Sequence, residues 1–346
     1  MAGARGIVVT ADAAATQAGI DMLRAGGNAA DAAASAAFVL AVVEPFSSGI
    51  GGGGFATLKF GPTLKFVDFR EVAPKRARRD MFMVDGQGDP LLSRNGILSV
   101  AVPGAVAGYL DLQERFGVLT RQQVMAPAIQ AAQEGFAVTE LYRQRAHWRR
   151  KVLRSDPEAS RTFLVPDEHG IFQAPPLGYL LKQPDLARTL KLIAAEGAVA
   201  FYRGVIAEQL VRDMQSRGGI IGMADLKLTK FAIGNHSWEV IVATPSRPRR
   251  RHPLGDRLLT ILNVMETLPE NLPWRSPQAL HVYLEASKRA FADRALLGDP
   301  LYVPYMNQLI PALIAKDRAA VLAQVITASQ SEPARRFCRV KAPSCP

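Results

Sequence analysis

With 346 residues, 48% apolar and 21% charged, the chain can bury a large core, which excludes the disordered and fibrous classes. The net charge of +11 would suit an acidic partner, but the arginines cluster at 143–154 and 247–257 with few aromatics among them, which disfavours nucleic acid. The two cysteines, Cys338 and Cys345, lie near the C-terminus, so the body encodes neither a disulfide framework nor a Cys-ligated metal site. The longest apolar run, Ala32–Val43, is too short and Ala-rich to span a bilayer.

Gly6–Thr10 reads as a short strand, and Asp12 as the cap of a helix stopped by Gly26-Gly27. Asn28 or Asp31 starts a second helix, Ala29–Val43, whose lack of a wet face predicts burial all round. Glu44-Pro45 ends it and leads into a glycine run, Gly49 and Gly51–Gly54. Two strands follow, Phe55–Phe60 and Leu64–Phe69, with Gly61-Pro62-Thr63 as the turn. With no Cβ in the way, the glycine run lets its backbone approach something closely.

Arg70 stands at the end of the second strand, beside Glu71, and is expected to face an open cleft next to Gly51–Gly54. Its guanidinium is a two-point fork suited to a carboxylate, although an ion pair with Glu71 would also account for it. Lys75–Arg79 and Asp85–Pro90 read as surface loop.

Pro103-Gly104 opens a helix through Arg115, and Thr120 caps another that closes at Gly135. Arg143–Arg154 reads as a helix with a solvated basic face. Further helices are expected near Asp185–Glu196, Val199–Arg217, Leu258–Glu266 and Pro277–Leu297, with one strand at Glu239–Thr244. Helices dominate without regular βαβ alternation, so the fold class is α+β. The five histidines (His147, His169, His236, His252 and His281) are scattered without ligand spacing, and no cofactor or metal is implied.

Several ordered segments resemble the large-subunit portion of the gamma-glutamyltranspeptidase (glutathione hydrolase) family. They are Leu23–Asp31, Val43–Phe55, Asp68–Pro74, Val102–Gly104 with Gly108, Phe201–Gly204, Leu262–Glu266 and Ala292–Arg294 with Gly298–Pro300. The likeness runs to about Ala319. It implies an N-terminal-nucleophile hydrolase fold, a layered αββα sandwich, here the large-subunit part only. In that family a precursor cleaves itself, and the new N-terminal Thr of the small subunit attacks a γ-glutamyl amide with its own α-amine as base. The acyl group then passes to water or an amino acid, so nucleophile and base share one residue. The resemblance makes Arg70 the grip on the α-carboxylate of a γ-glutamyl substrate such as glutathione, with Glu71 and Asp68 holding Arg70 in place.

Two departures matter. The family's Thr-Thr-His stretch does not occur in these residues, so no catalytic residue is assigned, and the chain alone is expected to be inactive without a complementary small subunit. And where the family carries a Pro-Pro-Ser-Ser-Gly-Gly type loop, residues 245–257 are Arg-rich, as Pro and Ser codons of a GC-rich gene become when read one base late. A local frameshift, with a second near Ile326, would explain this segment and an unpatterned tail at 327–346 after a family-like domain at 1–326. A genuine basic loop and a disordered tail are the alternative. No leader precedes Gly6, whereas the family is usually exported, so the compartment stays open. A related cephalosporin or glutaryl acylase, and a non-catalytic binding protein, are the other readings. A phosphate loop is disfavoured because no Lys-Ser/Thr follows the glycines at a helix start.

Overall fold

The Asp12 carboxylate accepts the Ala14 amide at 2.8 Å, so helix α1 (Ala13–Arg24) begins where an orphan helix N–H finds a side-chain acceptor. In this computed structural model the described residues are 2–3, 6–61, 63–227, 253–273, 275–298, 303 and 305–328. Contacts divide the chain into two compact units, Met1–Ser237 and Trp238–Pro346.

In the first unit, Asn28 and Asp31 together form a capping box for α2 (Ala29–Val43). Helix α2 packs against α1, α3 (Ala105–Phe116) and α4 (Arg121–Glu134). Phe38, Val39 and Val42 on α2 are fully buried, each contributing about 1.5–3 kcal/mol of burial. The expectation of burial all round is corrected, because Ala29 and Ala33 are exposed and Ala37 and Leu40 only half-buried. These four positions fall on one helical stripe. A sequence almost wholly small or apolar gives no period by which to find that open face. Ala36→Leu, on the buried side, should therefore overpack the core and cost about 1–3 kcal/mol, while Ala33→Leu should be near neutral. Chemical denaturation of the two variants checks the difference.

The Asp31 side chain does more than cap. Fully buried, it accepts hydrogen bonds from the amides of Asn28 (3.0 Å), Val118 (2.9 Å) and Leu119 (3.3 Å), and from Gln113 Nε2 (3.4 Å). One carboxylate thus ties the start of α2 to the α3–α4 turn.

Thr120 forms the capping box of α4, and Thr139 caps α5 (Glu140–Arg154), which starts a turn earlier than the arginine run suggested. Helices α6 (Pro157–Phe163) and α7 (Pro184–Glu196) follow. The helix expected over Val199–Arg217 is two: α8 (Ala198–Tyr202) and α9 (Val205–Ser216). Gly204 at the break has the backbone of Ala200 close behind it, where the chain turns too tightly to continue one axis. The short α10 (Met223–Lys227) ends the described part of this unit.

Strands are few among the described residues: one six-residue hairpin and four two-residue ladders. Of the strand expected at Gly6–Thr10, only Gly6–Ile7 pairs, with Ala2–Gly3. The loop expected at 85–90 contributes one strand of such a ladder, Gln87–Gly88, which pairs with Met83–Val84.

The second unit holds α11 (Pro253–Met265), α12 (Pro277–Asp293), α13 (Met306–Leu313) and α14 (Lys316–Ala328), and Val264, Val282, Ala286 and Ile326 of α11, α12 and α14 form a core. Glu285, buried on α12, pairs with Arg289 at 2.8 Å and Lys288 at 2.5 Å, and Arg318 grips Asp293 with two bonds of 2.9 and 3.1 Å. The Arg-rich segment read as loop to Arg257 becomes helical at Pro253. Its earlier part and the strand expected at Glu239–Thr244 lie outside the described residues. Helix α14 runs through the buried Ile326 to Ala328, and positions 329–346 also lie outside. Among the described residues, no helix is long and apolar enough to cross a membrane.

Candidate functional site

The hairpin strands Phe55–Phe60 and Thr63–Asp68 pair antiparallel, from Phe55 opposite Asp68 to Phe60 opposite Thr63. The pairing continues one step further, because Gly54 and Phe69 exchange both backbone bonds, at 3.3 and 3.0 Å. Arg70 is thus the first residue beyond the ladder. Its amide donates to Asp68 Oδ1 at 3.0 Å, which fixes the backbone where the chain leaves the strand.

The glycine run meets a partner within the chain. Gly52 O accepts the amides of Gly104 and Ala105, both at 2.8 Å, and so caps α3, which has no side-chain cap of its own. Val72 and Val102 form a bridge alongside. A Cβ at Gly53 would crowd the backbone of Phe69–Glu71, one at Gly104 would fall on Phe69 O, and one at Gly108 would enter the Phe69 ring. The close approach expected of the glycines is therefore at least in part to the Phe69–Glu71 backbone. Gly104→Ala should force that backbone aside at a cost of about 3 kcal/mol, whereas Gly51→Ala, with open space around it, should be near neutral. Thermal melts of the pair test this.

The Arg70 side chain is 56% exposed, and its Nε makes a 3.0 Å ion pair with Glu71 Oε2. That oxygen is buried and makes no aligned hydrogen bond, so the contact is electrostatic. Exposure keeps such a pair weak, about 0–1 kcal/mol. Among the described residues no hydrogen bond engages the guanidinium, which leaves its two terminal nitrogens for a carboxylate. Phe55 lies beneath, its ring centre 5.9 Å from the guanidinium carbon.

Tyr109 was not found from the sequence. It sits one residue after Gly108, its ring edge-on to Phe69 at 5.6 Å, and burial followed by the Glu71 charge raises its phenol pKa. Only the fold brings it close enough to Glu71 to feel its charge. Of the histidines, His147 lies 2.9 Å from Arg150, His169 faces Glu168, and His281 approaches Ile326 O. Two cavities are prominent. One of about 410 Å³ has Glu44, Phe46, Tyr142 and Arg145 in its wall, and one of about 500 Å³ has His147, Trp148 and Pro176. Arg70 lines neither, and stands on open surface at the strand end.

The gamma-glutamyltranspeptidase family model matches residues 15–344, past Ala319, where the motifs seen in the sequence run out. A glutathione hydrolase proenzyme of Pseudomonas sp. (strain A14) is 37% identical over 337 residues, covering 94% of this chain and 57% of that protein. An Acylase ACY 1 proenzyme of Pseudomonas sp. (strain V22) is 35% identical over 93% of this chain and 59% of that protein. The chain therefore spans little more than half the length of these curated relatives. The crystal structure of Helicobacter pylori gamma-glutamyltranspeptidase superimposes with a TM-score of 0.84 at 30% identity, covering 99% of this chain and 97% of that chain. The chain belongs to the gamma-glutamyltranspeptidase family and has its α+β, N-terminal-nucleophile hydrolase fold.

Proposed function

We propose that this chain is the large-subunit part of a gamma-glutamyltransferase that cleaves γ-glutamyl amides such as glutathione and passes the acyl group to water or an amino acid. The observation that carries this is Arg70, tethered through Nε to Glu71 while its terminal nitrogens stay open at the end of the hairpin. In that role it holds the α-carboxylate of the γ-glutamyl group. The nucleophilic Thr comes from a second half, on the same precursor or on a separate chain. Its α-amine takes the hydroxyl proton, the oxygen adds to the amide carbon, and the amine leaves with a proton.

Two observations support a second half. The relatives are named proenzymes and extend well beyond this chain, while a solved chain of the family matches it nearly end to end. And large apolar side chains stand uncovered, at Ile7 and Val9 in the first unit and at Leu280, Leu284 and Phe291 on α12 in the second. The 346 residues alone should be poorly soluble or oligomeric and should not release a γ-glutamyl anilide. Joined to a Thr-bearing second half they should release it. Release by the unaided chain would overturn the assignment of the nucleophile. Silence of a joined form that has cleaved its precursor bond would favour a non-catalytic binding protein.

The acylase relative supports a second reading on the same site. A glutaryl group has the carboxylate that Arg70 would grip and differs from γ-glutamyl by lacking the ammonium. The rate ratio of matched γ-glutamyl and glutaryl anilides in the joined form separates the two readings.

A further inference from the structure

Helix α5 carries six cationic side chains, Arg143, Arg145, Arg149, Arg150, Lys151 and Arg154, against one carboxylate, Glu140. Arg143 pairs with Glu140 and Arg154 donates to Phe172 O. Arg149 binds Asn95 Oδ1 and Arg150 lies against His147 Nδ1, neither of them a carboxylate. Among the described residues, Arg145, Arg149, Arg150 and Lys151 therefore form no ion pair, although Asp12 and Glu44 share a cavity wall with Arg145.

The helix buries Tyr142 and Ala146 against Val138, Leu164 and Leu181, which fixes what it shows to the outside. Leu141, Gln144, Arg145, Trp148 and Lys151 share the opposite face by helical spacing, and all are exposed. Trp148 is 68% exposed, with the Arg145 guanidinium 5.5 Å from its ring centre. Exposed Leu177 and Tyr179 belong to the same region. Val138 and Tyr179 are joined by a 2.9 Å backbone bond just before α5, and Pro176 shares the cavity beside Trp148. A merely solvated basic face has no need of an uncovered indole and two leucines among its cations.

We propose that this face of α5 docks on an anionic phospholipid surface. Arg145 and Lys151 meet the headgroup phosphates, and Trp148, Leu141, Leu177 and Tyr179 enter the boundary between headgroups and acyl chains. Nucleic acid would match the charge but leave the leucines in water, so lipid accounts for more of the patch. The inference is independent of the γ-glutamyl reading, because none of these residues belongs to the Arg70 site.

The test is flotation of the full chain through a density gradient with vesicles of phosphatidylcholine, alone or mixed with phosphatidylglycerol, at low and high salt, so that self-associated protein stays at the bottom. Binding is expected on the mixed vesicles only, weakened by salt, with a blue shift of tryptophan emission that Trp148→Ala abolishes. Arg145→Glu and Lys151→Glu should each lower partitioning at least about fivefold. These side chains are exposed, so circular dichroism should show the variants folded like the parent. No binding to the mixed vesicles, or binding that the three substitutions leave unchanged, overturns the proposal. So does retention of a single-stranded RNA with no vesicle binding, which would make this a nucleic-acid face.

Discussion

Arg70→Lys, made in the form joined to its Thr-bearing half, should lower kcat/KM toward a γ-glutamyl anilide by roughly 10- to 100-fold, chiefly through KM. An ammonium offers a point charge where the guanidinium offers two parallel donors, and losing a charge-assisted hydrogen bond costs about 1.5–3 kcal/mol. The α-carboxylate lies away from the breaking bond, so its grip is shared by ground and transition states and its loss shows in KM. Ion pairing with Glu71 is the competing role for Arg70, and the variant separates the two. A lysine can still pair with Glu71, and an exposed pair contributes at most about 1 kcal/mol to stability. An unchanged KM with unchanged stability would remove Arg70 from the site. Measuring a γ-glutamyl substrate beside one lacking the α-carboxylate confines the effect further, since only the first should respond.

The largest loss of stability should come from Asp31→Ala, about 4 kcal/mol, read as the shift of a denaturation midpoint. Its carboxylate is fully buried and accepts three backbone amides and the Gln113 side chain. Removing it orphans donors at the start of α2 and in the α3–α4 turn, and each buried unsatisfied donor costs about 1–3 kcal/mol. A domain is stable by about 5–15 kcal/mol in total, so much of the margin goes. Asp31→Asn should fall between the two, because its amide replaces one acceptor with a donor that faces N–H groups. A shift below about 1 kcal/mol for Asp31→Ala would mean that water takes over the orphaned donors.

Arg70 and the glycine run show how far local chemistry reads. That Arg70 ends a hairpin strand beside Gly51–Gly54 was legible, because β-branched and aromatic runs around a Gly-Pro turn specify a hairpin from neighbouring residues alone. What the glycines approach was not. The Phe69–Glu71 backbone and the amides of Gly104 and Ala105 come from segments some 15 to 50 residues away in sequence. Tyr109 escaped for the same reason, since nothing local marks a tyrosine on α3 as a neighbour of Glu71.

By itself the sequence determined the helix starts at Asp12, Asn28 and Thr120, the hairpin, the α+β class and, through its ordered motifs, the family. Each of these rests on interactions that span a few residues or on motifs preserved in order. Tertiary structure alone decided that α2 leaves Ala29 and Ala33 open and that Asp31 joins two distant segments. It also split the helix at Gly204 and left Trp148 exposed beneath the Arg145 guanidinium. Those outcomes depend on which surfaces meet, and a run of small or charged residues permits several faces until packing selects one.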